Sequence, residues 1–340
     1  MITTNINNTK LNKSKDTKED FCFKSFSNSW VAIHPEPKGI IQFIGSFIFG
    51  SFPINSYKYL LQNLFEQGYT IIVLRFPLTP LKFDHWQVAT NLLKEEYTLR
   101  VEIIKFLTQN GKISDRNLEI YLDSTKYYWL GHSLGCKYIS LLEILSNDAT
   151  QRNLIIQNSL GNRYDKKLIS LINSVDITRE KAEQEISKLL NKPISINKYF
   201  IKDQPSILLA PEISNTVTPN KLNTSTTKPP SKFELLVFPN ASETKRMIAQ
   251  STNLFNLTGI ISFSQDCIAR DDCSFLLQQL SLKRFYPPLH TELFGWHLDP
   301  NAVEIKHLGI CINRIFAQLI QRQASFTNSS VKIVNNCKVF

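Results

Sequence analysis

The sequence predicts an α/β fold: a mostly parallel central sheet, helices on both faces, and helical and loop insertions. Three observations predict it. Apolar runs of strand length alternate with longer stretches whose apolar residues recur at helical spacing. One strand-to-helix junction reads Gly131-His132-Ser133-Leu134-Gly135, a G-x-S-x-G pattern where a sharp turn lifts a serine above such a sheet. An aspartate and a histidine then follow that serine in order, each just after a later strand signal.

Each element has its own signal. Residues 1–20 are rich in Asn, Thr and Lys and are expected to form a disordered tail. Phe21–Phe52 should hold an edge strand and the first central strand. The apolar run from Gly39 to Pro53 is too short and too rich in glycine for a membrane span of about 20 residues, but fits a strand entering a Gly/Ser loop. Tyr57–Gly68 reads as a helix through Leu60, Leu61, Leu64 and Phe65, and Tyr69–Phe76 as a parallel strand between Gly68 and Pro77. A long helix covers 86–109, with Leu93, Tyr97, Val101, Ile104 and Leu107 on one stripe. Lys126–Leu130 is a short buried strand, and Lys137–Leu145 a helix packed through Tyr138, Leu141, Leu142 and Leu145.

The second half repeats the alternation. Residues 153–202 form a mostly helical insertion, with Ala182, Ile186, Leu189 and Leu190 opposite Lys181, Glu185 and Lys188. Ser206–Ala210 is the next strand. Across 214–232 only Val217 and Leu222 are apolar, so this segment is expected to be a flexible polar loop. Leu235–Phe238 resumes the sheet or its edge, a helix starts near Ser242, and Thr258–Ser264 is a further strand. The last helix has Leu308, Ile312, Ile315, Phe316 and Leu319 on one stripe, Arg314, Gln318 and Gln321 off it, and His307 within it. Residues 21–322 thus read as one domain and 323–340 as a C-terminal tail.

The glycines around Ser133 leave room for a strained turn in which neighbouring backbones come close. A serine there needs a general base and an acid on later loops, in that chain order. Three histidines follow it: His290 within a strand signal, His307 in the last helix, and His297 in the Gly/Pro-bounded run Leu293–Pro300 before that helix. His297 is therefore the candidate base. Asp266 closes the Thr258–Ser264 strand and is the candidate acid, ahead of Asp271 and Asp272. Its task would be to fix the imidazole tautomer and stabilise the imidazolium. The oxyanion N–H groups would come from Leu134 and from Ser46 or Phe47. His85, in Phe83-Asp84-His85-Trp86 on the same rim, is either a substrate contact or a structural histidine bonded through Asp84. His132, beside the serine, is a second possible substrate contact.

Composition narrows the rest. At 340 residues and 42% hydrophobic content, one large domain is favoured over two. Six cysteines without a C-x-x-C pair suit free thiols in a reducing compartment, with Cys136 a small packing residue. No Cys/His spacing suits zinc and no Gly-rich loop suits phosphate, so neither metal nor cofactor is expected. Of the net charge of +10, six units lie in residues 1–26 and 313–340, and no basic cluster is interleaved with aromatics. Nucleic-acid binding is not expected; weak contact with an anionic membrane surface remains compatible with the basic ends. Oligomeric state is not legible.

Several runs taken together resemble a known family. Gly-His-Ser-Leu-Gly-Cys-Lys at 131–137, Phe83–Trp86, Leu209-Ala210-Pro211-Glu212-Ile213-Ser214, Ile261–Phe263 before Asp266, and Gly295-Trp296-His297-Leu298 with Pro300 look like a domain-of-unknown-function family. That family occurs in cyanobacteria and plastid-bearing eukaryotes, within the α/β-hydrolase superfamily. The resemblance spans roughly 28–322 and departs at 214–232, where relatives look more ordered. It implies an α/β-hydrolase-like fold, a Ser133–Asp266–His297 triad, and a cytoplasmic or plastid location, but no substrate. The residues point to a serine hydrolase of an ester or thioester, including lipid-like ones. The alternative is a non-catalytic binding or assembly factor on the same fold. Acyl transfer is a third reading, but malonyl-type transferases continue the motif with Glu where Cys136 stands here.

Overall fold

The computed structural model describes residues 21–47, 49, 52–76, 83–111, 114–161, 166–214, 237–282, 286–302, 305 and 307–336. Among the described residues, eight strands form one sheet: β1 (Lys24–Phe26), β2 (Ser29–Ala32), β3 (Gly39–Ile44), β4 (Tyr69–Leu74), β6 (Tyr127–His132), β7 (Ser206–Leu209), β9 (Thr258–Phe263) and β10 (Leu289–Leu293). Their spatial order is β1-β2-β4-β3-β6-β7-β9-β10. Only β2 runs against the rest; from β4 to β10 every neighbouring pair is parallel. This is the strand order and sense of an α/β-hydrolase sheet.

Side chains alternate across the sheet, which divides the core in two. Ile40 and Ile44 of β3, Ile72 of β4 and Trp129 of β6 face one side. There they pack with α3 (His85–Gln109), α5 (Leu134–Leu145) and α7 (Lys166–Leu190). Ile41, Phe43, Ile71, Val73, Tyr128 and Leu130 face the other, against α2 (Lys58–Glu66) and α11 (Leu308–Asn336). Central strands buried on both faces carry near-continuous apolar runs, as parallel strands must. Among the described residues, no helix is long and apolar enough to cross a membrane.

The structure differs from the sequence reading at several places. Val237–Phe238 (β8) does not join the large sheet; it pairs in parallel with Phe83–Asp84 (β5) as a separate ribbon. The last helix does not end near residue 322. It runs to Asn336, and Gln323 is docked by bonds to the carbonyls of Asp203 (2.6 Å) and Thr125 (3.3 Å). His307 lies before that helix, with φ 73°. In the 153–202 insertion, helices α6 (Ala149–Leu160) and α7 cover the first part, but 191–205 are largely irregular and Leu189 is exposed. Ser214 is buried, its N–H and hydroxyl both donating to Asp272. Residues 1–20, 215–232 and 337–340 lie outside the described residues.

Candidate active site

Strand β6 delivers Ser133 into a turn that an L-residue seldom adopts, with φ 55° and ψ −119°. Its neighbours permit it. A Cβ on Gly131 would meet Ile139 Cδ1 at 2.8 Å and Cys136 N at 2.9 Å, and one on Gly135 would strike the Ile44 carbonyl. Gly135 therefore lets the elbow pack against the end of β3, where the loop through Ser46 and Phe47 begins. Ser133 itself caps α5, so the Leu134 N–H stands at the first helical position, where no intrahelical carbonyl can receive it. Cys136 is buried, its thiol pushed well up by burial, and packs with Sγ 3.2 Å from the Gly131 carbonyl.

Three side chains from three strand ends meet at this turn. Ser133 Oγ lies 2.8 Å from His297 Nε2, and His297 Nδ1 lies 2.8 Å from Asp266 Oδ2. All three are nearly buried, at 4%, 5% and 3% exposure for Ser133, His297 and Asp266. The other Asp266 oxygen accepts the N–H groups of Ile268 (2.8 Å) and Ala269 (2.9 Å). Burial raises the Asp266 pKa, but the bond and charge of His297 and these two N–H groups outweigh it and leave the carboxyl below its ordinary value. A carboxylate beside Nδ1 selects the Nδ1–H tautomer, which leaves Nε2 free to accept the serine proton. The competing acids are otherwise placed: Asp271 is exposed on the following helix, and Asp272 accepts the Ile213 and Ser214 N–H groups and pairs with Lys245 at 2.9 Å. On the loop carrying His297, exposure alternates. Phe294, Trp296 and Leu298 point out while Gly295 and His297 point in.

A second chain of bonds runs behind the first. The Ser46 N–H donates to Tyr57 Oη (2.9 Å), Tyr57 Oη lies 2.8 Å from His132 Nδ1, and His132 Nε2 lies 2.9 Å from the His297 carbonyl. A carbonyl only accepts, so His132 carries its proton on Nε2 and takes the Tyr57 hydroxyl proton at Nδ1. Burial first, then repulsion from His297, pull the His132 pKa down to about 3. This corrects two expectations. His132, with both nitrogens committed and its ring fully buried, does not present itself to substrate. The Ser46 N–H is spent on Tyr57 and does not face an oxyanion; Phe47 is the other residue the sequence named for that task. His85 is also fully buried at the start of α3, its ring 5.6 Å from Tyr138 of α5. Burial, followed by the charge of Lys137, holds it neutral. It is a packed interior ring. Asp84 caps α3 through the Gln87 N–H at 3.0 Å.

One carboxylate at the site lies in a run the sequence singled out, Leu209–Ser214, but was given no role there. Glu212 Oε2 lies 3.2 Å from Ser133 Oγ, and the Glu212 N–H donates to the Ser133 carbonyl at 3.2 Å. It follows β7, the strand beside β6, so the signal available in the sequence was its place just after a central strand. Lys137, on α5 and fully buried, donates to the Pro239 carbonyl at 3.0 Å. Burial pulls its pKa down to about 7, against the opposing pull of Asp272, Glu212 and Glu243. Among the described residues, no group of three or more His, Cys, Asp or Glu side chains is arranged to hold a metal.

A serine hydroxyl bonded to a neutral imidazole, itself bonded to a carboxylate, can be deprotonated as it attacks a carbonyl. Comparison with known proteins gives the following. Solved structures similar to this one include an esterase of the archaeon Pyrobaculum calidifontis (12% identity, TM-score 0.42, covering 86% of this chain and 79% of that one). A sugar hydrolase of Lactococcus lactis is 10% identical with TM-score 0.44, over 89% of this chain and 98% of that one. A fungal esterase of Rhizomucor miehei is 14% identical with TM-score 0.44, over 88% and 81%. No curated protein matches in sequence. Residues 22–310 match the family described as "Protein of unknown function (DUF1350)", and the chain belongs to that family.

Proposed function

We propose that this protein is a serine hydrolase of esters or thioesters, with Ser133 as nucleophile, His297 as general base and acid, and Asp266 orienting His297. The observation that carries the reading is the unbroken chain from Ser133 Oγ through His297 to Asp266, with both links at 2.8 Å. In the first half-reaction Ser133 Oγ bonds the substrate carbonyl carbon while its proton passes to His297 Nε2. The charge developing on the carbonyl oxygen is received by the N–H groups of Leu134 and Phe47. Asp266 stabilises the imidazolium, which then protonates the departing alcohol or thiol. Water repeats the sequence on the acyl-enzyme and releases the acid. The exposed Phe294, Trp296 and Leu298 beside the base favour a substrate with an apolar portion.

A fluorophosphonate probe tests the reading without a known substrate. Wild type is expected to label and Ser133→Ala not to. His297→Ala should lose most reactivity, because an unassisted serine hydroxyl is a poor nucleophile. Asp266→Asn keeps the geometry but selects the wrong tautomer, a change that costs about 10⁴ in the serine-protease precedent. Folded wild-type protein that never labels, beside a serine hydrolase that does, would sink the proposal and favour a non-catalytic role for the fold.

A further inference from the structure

The hydrolytic sequence above leaves one group at the reacting atom without a task. Glu212 Oε2 stands 3.2 Å from Ser133 Oγ, held there by the bond from its own N–H to the Ser133 carbonyl. An ionised carboxylate can only accept hydrogen bonds. In the resting enzyme the serine has one proton and two acceptors within reach, His297 Nε2 at 2.8 Å and Glu212 Oε2 at 3.2 Å. Acylation removes that proton, because Oγ becomes an ester oxygen. Glu212 Oε2 is then a half-buried acceptor with an open position beside the acyl group, where a donor can bond it. The donor due at that stage is the incoming nucleophile.

We propose that Glu212 binds the water that deacylates Ser133, and so directs the acyl group to water in preference to an alcohol. This rests on the serine-hydrolase reading. Both acceptors border the same Oγ, at 2.8 and 3.2 Å, so a water that arrives beside the acyl carbon can donate to both. The water donates one hydrogen to Glu212 Oε2 and the other to His297 Nε2. As its oxygen bonds the acyl carbon, the second proton moves to Nε2 and the carbonyl electron pair moves onto the oxyanion. The intermediate collapses: the C–Oγ bond breaks, Oγ takes the proton from Nε2, and the carboxylic acid leaves. Glu212 ends as it began, again accepting from Ser133. Methanol cannot use the same cradle, since its single O–H proton is the one His297 must take. Glu212 therefore favours hydrolysis over methanolysis.

The test separates the two half-reactions in the full-length chain, using p-nitrophenyl acetate as substrate. Glu212→Ala is expected to label with the fluorophosphonate at least as fast as wild type, which also shows that its site is folded. It should release a burst of one p-nitrophenolate per site and then turn over about 10- to 100-fold more slowly than wild type. Intact mass should find acetylated protein accumulating. Added methanol should restore turnover in the variant by a larger factor than in wild type. Glu212→Gln, which keeps a neutral acceptor, should fall between. Unchanged steady-state turnover in Glu212→Ala overturns the proposal. So does an equal loss in burst rate and steady state, or an equal loss of hydrolysis and methanolysis. Wild type that neither labels nor releases p-nitrophenolate defeats the hydrolase reading itself, and this proposal with it.

Discussion

Tyr57 joins two loops that the sequence read as independent. Its hydroxyl accepts the Ser46 N–H from the loop after β3 and donates a hydrogen bond to His132 Nδ1, while His132 Nε2 donates to the His297 carbonyl. Every group in this relay is buried, and only the Tyr57 hydroxyl both accepts and donates, which makes it the joint between the two ends. Tyr57→Phe removes both links and strands the Ser46 N–H and His132 Nδ1 together. A buried group left unsatisfied costs about 1–3 kcal/mol. The variant is therefore expected to melt lower and, with both loops loosened around Ser133, to label about tenfold more slowly. A variant that melts lower but labels like wild type would make the relay a matter of stability alone. The sequence made Ser133, Asp266 and His297 legible because each follows a strand signal in an order the chemistry demands. The roles of Tyr57 and Glu212 were not legible, although one opens a helix and the other lies in a run that the sequence singled out. Tyr57 lies seventy-five residues from His132 and Glu212 seventy-nine from Ser133 along the chain, and neither belongs to a spacing pattern. His132 was visible but misjudged, since a motif gives neighbours in sequence and not the side of the sheet a ring enters.

Elements announced themselves in proportion to their periodicity. The stripe Leu308, Ile312, Ile315, Phe316 and Leu319 is buried as its spacing required, and α3 begins within one residue of its expected start. The end of α11 was missed for a physical reason. Beyond Leu319 the apolar stripe thins, and what holds the helix is polar: Gln323 donates to the carbonyls of Asp203 and Thr125. An edge contact follows between Phe326 and Tyr286, with ring centroids 4.8 Å apart. Side chain-to-carbonyl bonds leave no period in a sequence. Ending the chain after Arg322 loses both sets of contacts, whereas ending it after Phe326 keeps them. The longer product is expected to melt about 2–6 °C above the shorter one by calorimetry. Equal melting temperatures would return residues 323–326 to the status of a tail.

At the scale of the molecule, the parallel sheet buries apolar side chains on both faces, and charges that enter this interior come with partners. Glu96 and Arg100 pair within α3, and the Arg100 guanidinium lies 3.7 Å from the centroid of the Tyr127 ring. Lys137 is the buried charge with consequences for pH that its partners do not offset. It is fully buried under the elbow helix, faced by the carboxyl groups of Asp272, Glu212 and Glu243 and by the ring of His85. Burial outweighs the carboxylates and pulls its pKa from 10.5 down to about 7 in the folded protein. The sign follows from proton counting. Between about pH 7 and 10.5 the unfolded chain binds this proton and the folded protein does not. Stability from this group therefore rises with pH across that window and is smallest at and below neutrality. Wild type is expected to melt about 5 °C higher at pH 9 than at pH 7, and Lys137→Met, which removes the titrating amine, to lose most of that rise. The variant also forfeits the bond to the Pro239 carbonyl, so the slope against pH, not the absolute melting temperature, is the quantity to compare. Parallel slopes for the two proteins would show that Lys137 keeps its proton in the folded state and that the surrounding carboxylates prevail over burial.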